Sequence, residues 1–447
     1  MLKKKQLIKG VVSDFTNSGL GIIKYQQDTV LVKDVFINEE VEVLVDKKVK
    51  EGYYGNVVKF IKSSSMRDKV RCPYFKLCGS CNYLYKLYPF ELKDKKQEIE
   101  KVLKKERLNI NVKDVCGMEI PFAYRNKCII TFAYDKKMKA GFYSANSHNV
   151  VNIDNCLLHD EKTNQLIKSL KQTVSKCHIE VYDEHSGRGF LKHIQIRRAI
   201  VTDETMVTLV TNEKNFRGKK NFISTLLKKE PSITTIVQNI NPRKTSVVLG
   251  KEEVNLYGRG YIIDELCGLK FKISSSSFYQ INHEQCEKLY SKAIELLDIK
   301  KQDVIVDTYS GIGTLSLISS LKAKRVLAVE INKDAIRDAK KNMEINGINN
   351  VSFYGADASE YMSELAYDNV HIDGLIMDPT RDGSDERFMN AVLKLKPKRI
   401  VYISCNPLTQ IRDLKYLSKG YYFKEMYLYD MFPKTNHVES IVLLKRK

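Results

Sequence analysis

The run Val304-Ile305-Val306-Asp307-Thr308-Tyr309-Ser310-Gly311-Ile312-Gly313-Thr314 limits what this chain can fold into more than any other feature. A short apolar strand feeding a turn with two glycines opens a βα unit. Glycine lets the backbone turn tightly and approach a ligand that a Cβ would hold off. The rhythm continues beyond it. Strand-like runs at 325–329, 374–377, 399–403 and 440–444 follow, and between the first two Ala335, Ala339 and Met343 recur on one helix face. This predicts α/β architecture, with a Rossmann-like, doubly wound domain over 281–447.

The glycine turn narrows the choice of cofactor. Ser316 stands where a dinucleotide fingerprint has its third glycine, and no lysine follows in P-loop spacing. A nucleoside without phosphates fits better, and S-adenosylmethionine is the expected cofactor. Glu330, nineteen residues after Gly311, ends the next strand, where a carboxylate accepts hydrogen bonds from ribose hydroxyls. Asp357 follows a third strand-like run and is expected near the adenine.

Ser404-Cys405-Asn406-Pro407 follows the apolar strand at 399–403, at the sheet edge where ligands of open α/β folds sit. A lone cysteine there is usually a small buried hydrophobe. Here two other groups share its setting. Asp378-Pro379-Thr380-Arg381 also follows a strand, and His437-Val438-Glu439 precedes the last one. Thiol, carboxylates and guanidinium suit C5 methylation of a pyrimidine. A thiolate adds to carbon 6, carbon 5 becomes nucleophilic, and a base then removes the carbon 5 proton. Cys405 is the expected nucleophile and Glu439 the expected base. Arg381 is expected to position a substrate or a neighbouring acid.

The N-terminal two-thirds reads differently. Residues 1–62 carry short strands, with Val41, Val43 and Val45 alternating against polar neighbours, and predict a small OB-like barrel. Ser63-Ser64-Ser65 marks a linker, and a mixed α+β central domain is expected over 68–280. Within it Cys72, Cys78 and Cys81 lie in ten residues, with Cys156 a plausible fourth ligand. Four thiolates suit either zinc or iron–sulfur, and a single CxxC pair favours a 4Fe–4S cluster over zinc.

With 74 basic against 54 acidic residues the formal charge is +20, which points to a polyanionic partner without separating RNA from DNA or acidic lipid. No run of eighteen apolar residues occurs and the start lacks a signal-peptide core, so no membrane partner and a cytoplasmic location are expected. Ten cysteines without a secretion signal argue for metal binding or catalysis over disulfides.

Taken in order, the cysteine cluster, Phe278-Tyr279-Gln280-Ile281-Asn282, the glycine turn, Ser404-Cys405-Asn406-Pro407 and His437-Val438-Glu439 resemble the uracil-C5 RNA methyltransferases across almost the whole chain. The resemblance implies a TRAM-type barrel at 1–62. It implies Gln280, Tyr309, Gly311, Gly313, Thr314, Glu330, Asp357 and Asp378 around cofactor and substrate. It places Arg125 and Lys127 of Tyr124-Arg125-Asn126-Lys127 near RNA, and makes Cys72, Cys78, Cys81 and Cys156 ligands of a 4Fe–4S cluster. By the same resemblance ribosomal RNA, 23S above all, is favoured over tRNA, and a monomer is expected. Two positions depart from the family pattern: Thr380 replaces a second proline, and Thr314 replaces a cofactor-contacting asparagine. Three rival readings stand beside it. Ser404 lacks the proline common in cytosine-C5 enzymes, Cys405 with Glu439 speaks against a non-catalytic RNA scaffold, and one cysteine cluster gives little support to electron transfer.

Overall fold

The computed structural model describes residues 2–16 and 19–447. The chain divides into two compact units, one of residues 1–75 and 81–91, the other of 76–80 and 92–447.

In the first unit, β1 (Leu7–Phe15), β2 (Gly21–Tyr25), β3 (Asp28–Val32), β4 (Glu40–Val49) and β5 (Gly52–Lys62) form a closed barrel in the order β1-β2-β3-β5-β4. β4 returns to pair antiparallel with β1. Val41, Val43 and Val45 all point inward and are buried with Val12, Ile23, Val30 and Val32. The alternation seen in the sequence is that of a strand with one face on a barrel core.

The helix α1 (Tyr88–Lys105) begins in the first unit and continues in the second, where it leads to β6 (Asn111–Cys116). Next come β7 (Lys127–Asp135), β8 (Lys137–Tyr143), β9 (Val150–Asn152), α2 (Glu161–Lys176), β10 (Leu191–Arg198), β11 (Thr205–Thr211), α3 (Lys219–Lys229), β12 (Ile233–Ile240) and β13 (Glu252–Tyr257). Their strands form one sheet in the order β13-β12-β11-β10-β7-β8-β9. Ile130, Ile194, Ile196, Val207 and Leu209 on one face pack against Leu166, Leu170 and Val174 of α2 and Phe222 and Leu226 of α3.

The hairpin β14 (Tyr261–Leu266) and β15 (Leu269–Ser274) precedes α4 (His283–Leu297). From there the strict alternation begins: β16 (Val304–Asp307), α5 (Thr314–Ser320), β17 (Arg325–Glu330), α6 (Lys333–Ile345), β18 (Val351–Gly355), α7 (Ala358–Tyr367), β19 (Gly374–Met377), α8 (Glu386–Leu395), β20 (Arg399–Ser404) and α9 (Pro407–Leu417). β21 (Tyr421–Tyr422), β22 (Glu425–Tyr429) and β23 (Glu439–Arg446) close the chain. The sheet runs β18-β17-β16-β19-β20-β23-β22-β6, with β21 pairing beside β23. The first five strands are parallel and β23 enters antiparallel to β20. The edge strand β6 comes from within the span expected to be central, and it pairs parallel with β22.

Both faces of this sheet are covered, as a parallel sheet requires. Ile305, Val326, Ile376, Val401 and Ile441 face a core shared with α4. Their neighbours Val306, Leu327, Leu375, Tyr402 and Val442 face the core under α7, α8 and α9. Asn332, Asp357 and Asn406 each accept hydrogen bonds from the first backbone N–H groups of the helix that follows a strand. These caps end the strand-to-helix loops abruptly and gather them at one edge. The strand order reverses between β16 and β19, which opens the crevice in which ligands of such sheets bind.

Candidate active site

The turn after β16 is shaped by its glycines. Gly313 has φ +84°, and a Cβ there would meet the Phe353 ring at 3.0 Å and Ala339 at 3.3 Å. Gly311, at φ +54°, faces open space, so a side chain there would fill the cradle without clashing. The Gly311 N–H donates to Glu330 Oε2 at 2.9 Å, and the Asn332 N–H donates to Oε1 at 2.7 Å. Glu330 is thus held in one orientation at the end of β17, with lone pairs left on both oxygens. Asp357 spends Oδ1 on the cap of α7, at 2.9 Å from Ser359 N and 3.2 Å from Glu360 N.

Asp307, which the sequence reading did not assign a role, is buried beneath the turn. Ser316, in the place of the missing third glycine, donates to its Oδ2 at 2.6 Å. Its Oδ1 has no partner among the described residues. Burial pushes the Asp307 carboxyl up to about 6, against the Ser316 hydrogen bond. Asp378, half-buried after β19, is pushed up to about 7 by burial and then by Asp307.

Tyr290 on α4 is a second residue the sequence did not reveal, because its spacing reads as ordinary helix core. Burial, Cys286 and Asp378 raise its phenol well above the usual range, while hydrogen bonding with Thr314 and Gln280 opposes the rise. Gln280, Thr314, Tyr290 and Asp378 therefore lie together. Gln280 is placed from behind: Asn126 Nδ2 donates to its carbonyl at 3.0 Å, and Asn126 N–H donates to Ile281 O at 2.9 Å. Tyr309 turns its hydroxyl to Ser384 Oγ at 3.1 Å, and burial pushes the phenol up to about 12. Ser384 N–H in turn donates to buried Asp413, which also accepts from Tyr402 at 2.6 Å.

The sheet register brings the expected nucleophile and base together. Ser404 of β20 pairs with Ser440 of β23, so the next antiparallel step sets Cys405 opposite Glu439. Cys405 is half-buried and Glu439 is 4% exposed. Ser440 Oγ donates to Gln410 Oε1 at 2.7 Å and Gln410 Nε2 to Tyr402 O at 2.8 Å, which locks the two strand ends beneath them. Burial, helped by Asp378, pushes Glu439 up to about 8. Burial, then Glu439 and Asp378, pushes the Cys405 thiol up to about 11. Arg381 opposes both shifts. The backbone of Arg381 is clamped by α9, its carbonyl accepting from Asn406 Nδ2 at 2.9 Å and Thr409 Oγ1 at 3.1 Å. The loop that carries Thr380 is therefore held by side chains of α9.

Three carboxyls, Asp307, Asp378 and Glu439, are pushed up by burial and by charge within the site, which gives it a negative interior. That donor set fits a cationic nucleoside: Glu330 for a ribose, the open space at Gly311, and a negative interior for a sulfonium. The site also draws on positive charge at its rim. Arg125 bridges to Asn282 through the backbone, and with Arg381 and Lys95 its charge holds His437 below the usual histidine range once burial has lowered it. Lys127 stands apart from these residues, opposite Arg197 of β10.

Cys72 and Cys81 belong to the first unit, Cys78 and Cys156 to the second. Within the second, Cys78 bridges to Ser144, and Cys156 is held by Asn164 through bonds of 2.9 and 3.1 Å. Among the described residues no group of three or more His, Cys, Asp or Glu side chains is placed to hold a metal ion. That finding gives no support to the expected 4Fe–4S cluster at Cys72, Cys78, Cys81 and Cys156. Among the described residues no helix is long and apolar enough to cross a membrane.

A family model for tRNA (uracil-5-)-methyltransferase matches residues 87–447. A Staphylococcus aureus protein named as an uncharacterized RNA methyltransferase is 36% identical over 450 residues, covering 100% of this chain and 99% of its own. A Clostridium tetani protein of the same description is 36% identical over 446 residues, covering 99% and 97%. Among solved structures, the Pyrococcus abyssi tRNA (uracil-54, C5)-methyltransferase in complex with S-adenosyl-L-homocysteine is 25% identical, with a TM-score of 0.77 over 98% of this chain and 100% of that one.

Proposed function

Since the chain belongs to the tRNA (uracil-5-)-methyltransferase family and is an S-adenosylmethionine-dependent RNA methyltransferase, we propose that it methylates carbon 5 of a uridine by covalent catalysis, with Cys405 as nucleophile and Glu439 as base. The observation that carries this reading is the β20–β23 register, which sets thiol and carboxylate side by side at the cofactor crevice.

Bound S-adenosylmethionine supplies an electrophilic methyl group on a sulfonium. Glu330 and Asp357 would hold its ribose and adenine, and Gln280, Thr314 and Tyr290 would meet its amino-acid end. The protein's own residues handle the protons. With the site filled and the Cys405 and Glu439 protons lost to solvent, the Cys405 thiolate bonds to carbon 6 of uracil, the C5–C6 π electrons move to carbon 5, and carbon 5 takes the methyl group as S-adenosylhomocysteine leaves. After methylation, Glu439 takes the proton from carbon 5, the Cys405–C6 bond breaks and the thiolate is restored. A thiol near 11 and a carboxyl near 8 keep both groups protonated at neutral pH in the ligand-free protein. A cation arriving among Asp307, Asp378 and Glu439 lowers all these values together, which delays activation until the site is filled. To reach Cys405 the uracil must leave its stack.

The proposed target is 23S ribosomal RNA, supported by the barrel and the cysteine spacing of the ribosomal branch. tRNA is the second reading, supported by the similarity to the Pyrococcus abyssi enzyme. The cytoplasm, where both RNAs reside, is the proposed location. Cys72, Cys78, Cys81 and Cys156 are proposed as 4Fe–4S ligands on their spacing alone; anaerobic purification with iron and sulfide assays tests this, and stoichiometric zinc would end it.

Cys405→Ala is expected to abolish methylation while RNA still binds. Glu439→Gln is expected to trap a protein–RNA adduct that survives a denaturing gel. Turnover by the first variant would refute the thiol mechanism. Mapping 5-methyluridine in ribosomal and transfer RNA from cells lacking the protein decides the target.

A further inference from the structure

On β10 the even positions Ile194 and Ile196 enter the apolar core, while Gln195 and Arg197 face the other side of the sheet. Register puts Lys127 of β7 opposite Arg197 and Thr208 of β11 opposite Gln195, all on that same face. Arg197 is 1% exposed. Its Nη2 donates to Ser277 O at 2.7 Å, but Nε and Nη1 have no partner among the described residues. Gln195 Oε1 and Thr208 Oγ1 beside it are also unpartnered there.

Two basic side chains thus sit opposite each other. The influences on Arg197 are its own burial and Tyr279; those on Lys127 are burial, which pushes it down to about 7, and Arg197 itself. No carboxylate is among them. A guanidinium keeps its proton in a protein, and burying a charge without a counter-charge is strongly unfavourable. A fold that keeps such a pair has a use for it, and the natural partner is an anion that accepts several hydrogen bonds at once.

We propose that Lys127 and Arg197 form a receptor for one backbone phosphate of the RNA substrate. Lys127 keeps accessible surface and makes the contact; Arg197 stands behind it, adding charge and holding the overlying loop. That loop is tied down at two points, Gln195 Nε2 donating to Ser275 O at 2.8 Å and Arg197 to Ser277 O. It runs directly into Gln280 and Ile281, which Asn126, next to Lys127, binds from below. A phosphate seated here therefore anchors the strand beside the crevice that receives the flipped uridine. The proposal rests on the RNA-methyltransferase reading, and the other anion available to the site is the cofactor carboxylate.

Loss of Arg197 threatens folding, so the test neutralises Lys127. Unmodified 23S ribosomal RNA and tRNA transcripts are titrated against the full-length protein over a KCl series, and S-adenosylhomocysteine is titrated separately. Lys127→Met is expected to bind the RNA roughly tenfold more weakly at moderate salt, with a log K against log salt slope shallower by about 1. Lys127→Arg is expected to restore both, and cofactor affinity is expected to stay at the wild-type value. An unchanged slope and affinity in Lys127→Met would overturn the phosphate site while leaving the methyltransferase reading intact. A parallel loss of S-adenosylhomocysteine affinity would overturn it in favour of the cofactor carboxylate. Absence of salt-dependent RNA binding by the wild type would instead strike at the RNA reading itself.

Discussion

Glu439 and Arg381 act on the Cys405 thiol in opposite senses, the first raising it and the second lowering it. In an unfolded chain a glutamate titrates near 4.3. Folded, Glu439 titrates at about 8 because burial and Asp378 disfavour its charge. Between those values the folded protein binds the extra proton, so this residue's contribution to stability is full at low pH and is lost as pH rises through about 8. Glu439→Gln should therefore match the wild type in thermal melting near pH 4 and exceed it near pH 9, at about 1 °C for each kcal/mol recovered. A wild type that melts higher than the variant at pH 9 would contradict the buried carboxyl. Arg381 acts in the opposite sense, holding both Cys405 and Glu439 lower than burial alone would leave them. Arg381→Met should shift the pH–rate profile to higher pH. Turnover at pH 7.5 is expected to drop by roughly tenfold, a loss that narrows by pH 9.5. A uniform loss at every pH would assign Arg381 to substrate contact alone.

At the scale of elements, the β16–α5 turn separates two roles that adjacent glycines share in the sequence. Gly313 is needed for packing, since its φ of +84° and the Phe353 ring both exclude a side chain. Gly311 also sits at positive φ, but its space is empty and lies on the ligand side. Left-handed backbone costs a non-glycine residue roughly 1–2 kcal/mol. Gly313→Ala is therefore expected to lower the melting temperature more than Gly311→Ala does. Gly311→Ala is expected to weaken S-adenosylhomocysteine binding more than its stability loss explains. Calorimetric melts and cofactor titrations on both variants check the pair; equal effects would show that the two glycines do one job. The clamp of α9 on the Arg381 carbonyl belongs to the same scale, because it holds a loop in which the family's second proline is a threonine.

Across the whole molecule, the charge of +20 is a long-range property that no single contact carries. RNA binding by such a protein releases counterions and should weaken steeply with salt. We expect KM for RNA to rise with KCl while kcat at saturating RNA holds nearly level, because the buried catalytic groups are little screened. A kcat that falls in step with affinity would mean that salt disturbs the site itself. The pairing of β6 with β22 ties residues 111–116 into the C-terminal sheet, so the segment following α1 is structurally part of a domain that begins about 165 residues later.

Local physics made part of this protein legible from its residues. Alternating valines at 41, 43 and 45 mark a one-sided strand, glycines 311 and 313 mark a tight turn, and Cys405 follows an apolar strand at the sheet edge where ligands bind. Those signals depend on spacing of a few residues, which a sequence displays directly. The tertiary structure alone decided which distant residues meet. Tyr290 looks like helix core until Gln280 and Thr314 close around it. Asp307 looks like the last residue of a strand until burial leaves one oxygen unpartnered. Arg197 looks like a surface charge until β7 and β10 pair and place it against Lys127. Each depends on contacts across tens to hundreds of residues and on exclusion of water, and burial and long-range proximity leave no periodic mark in the chain.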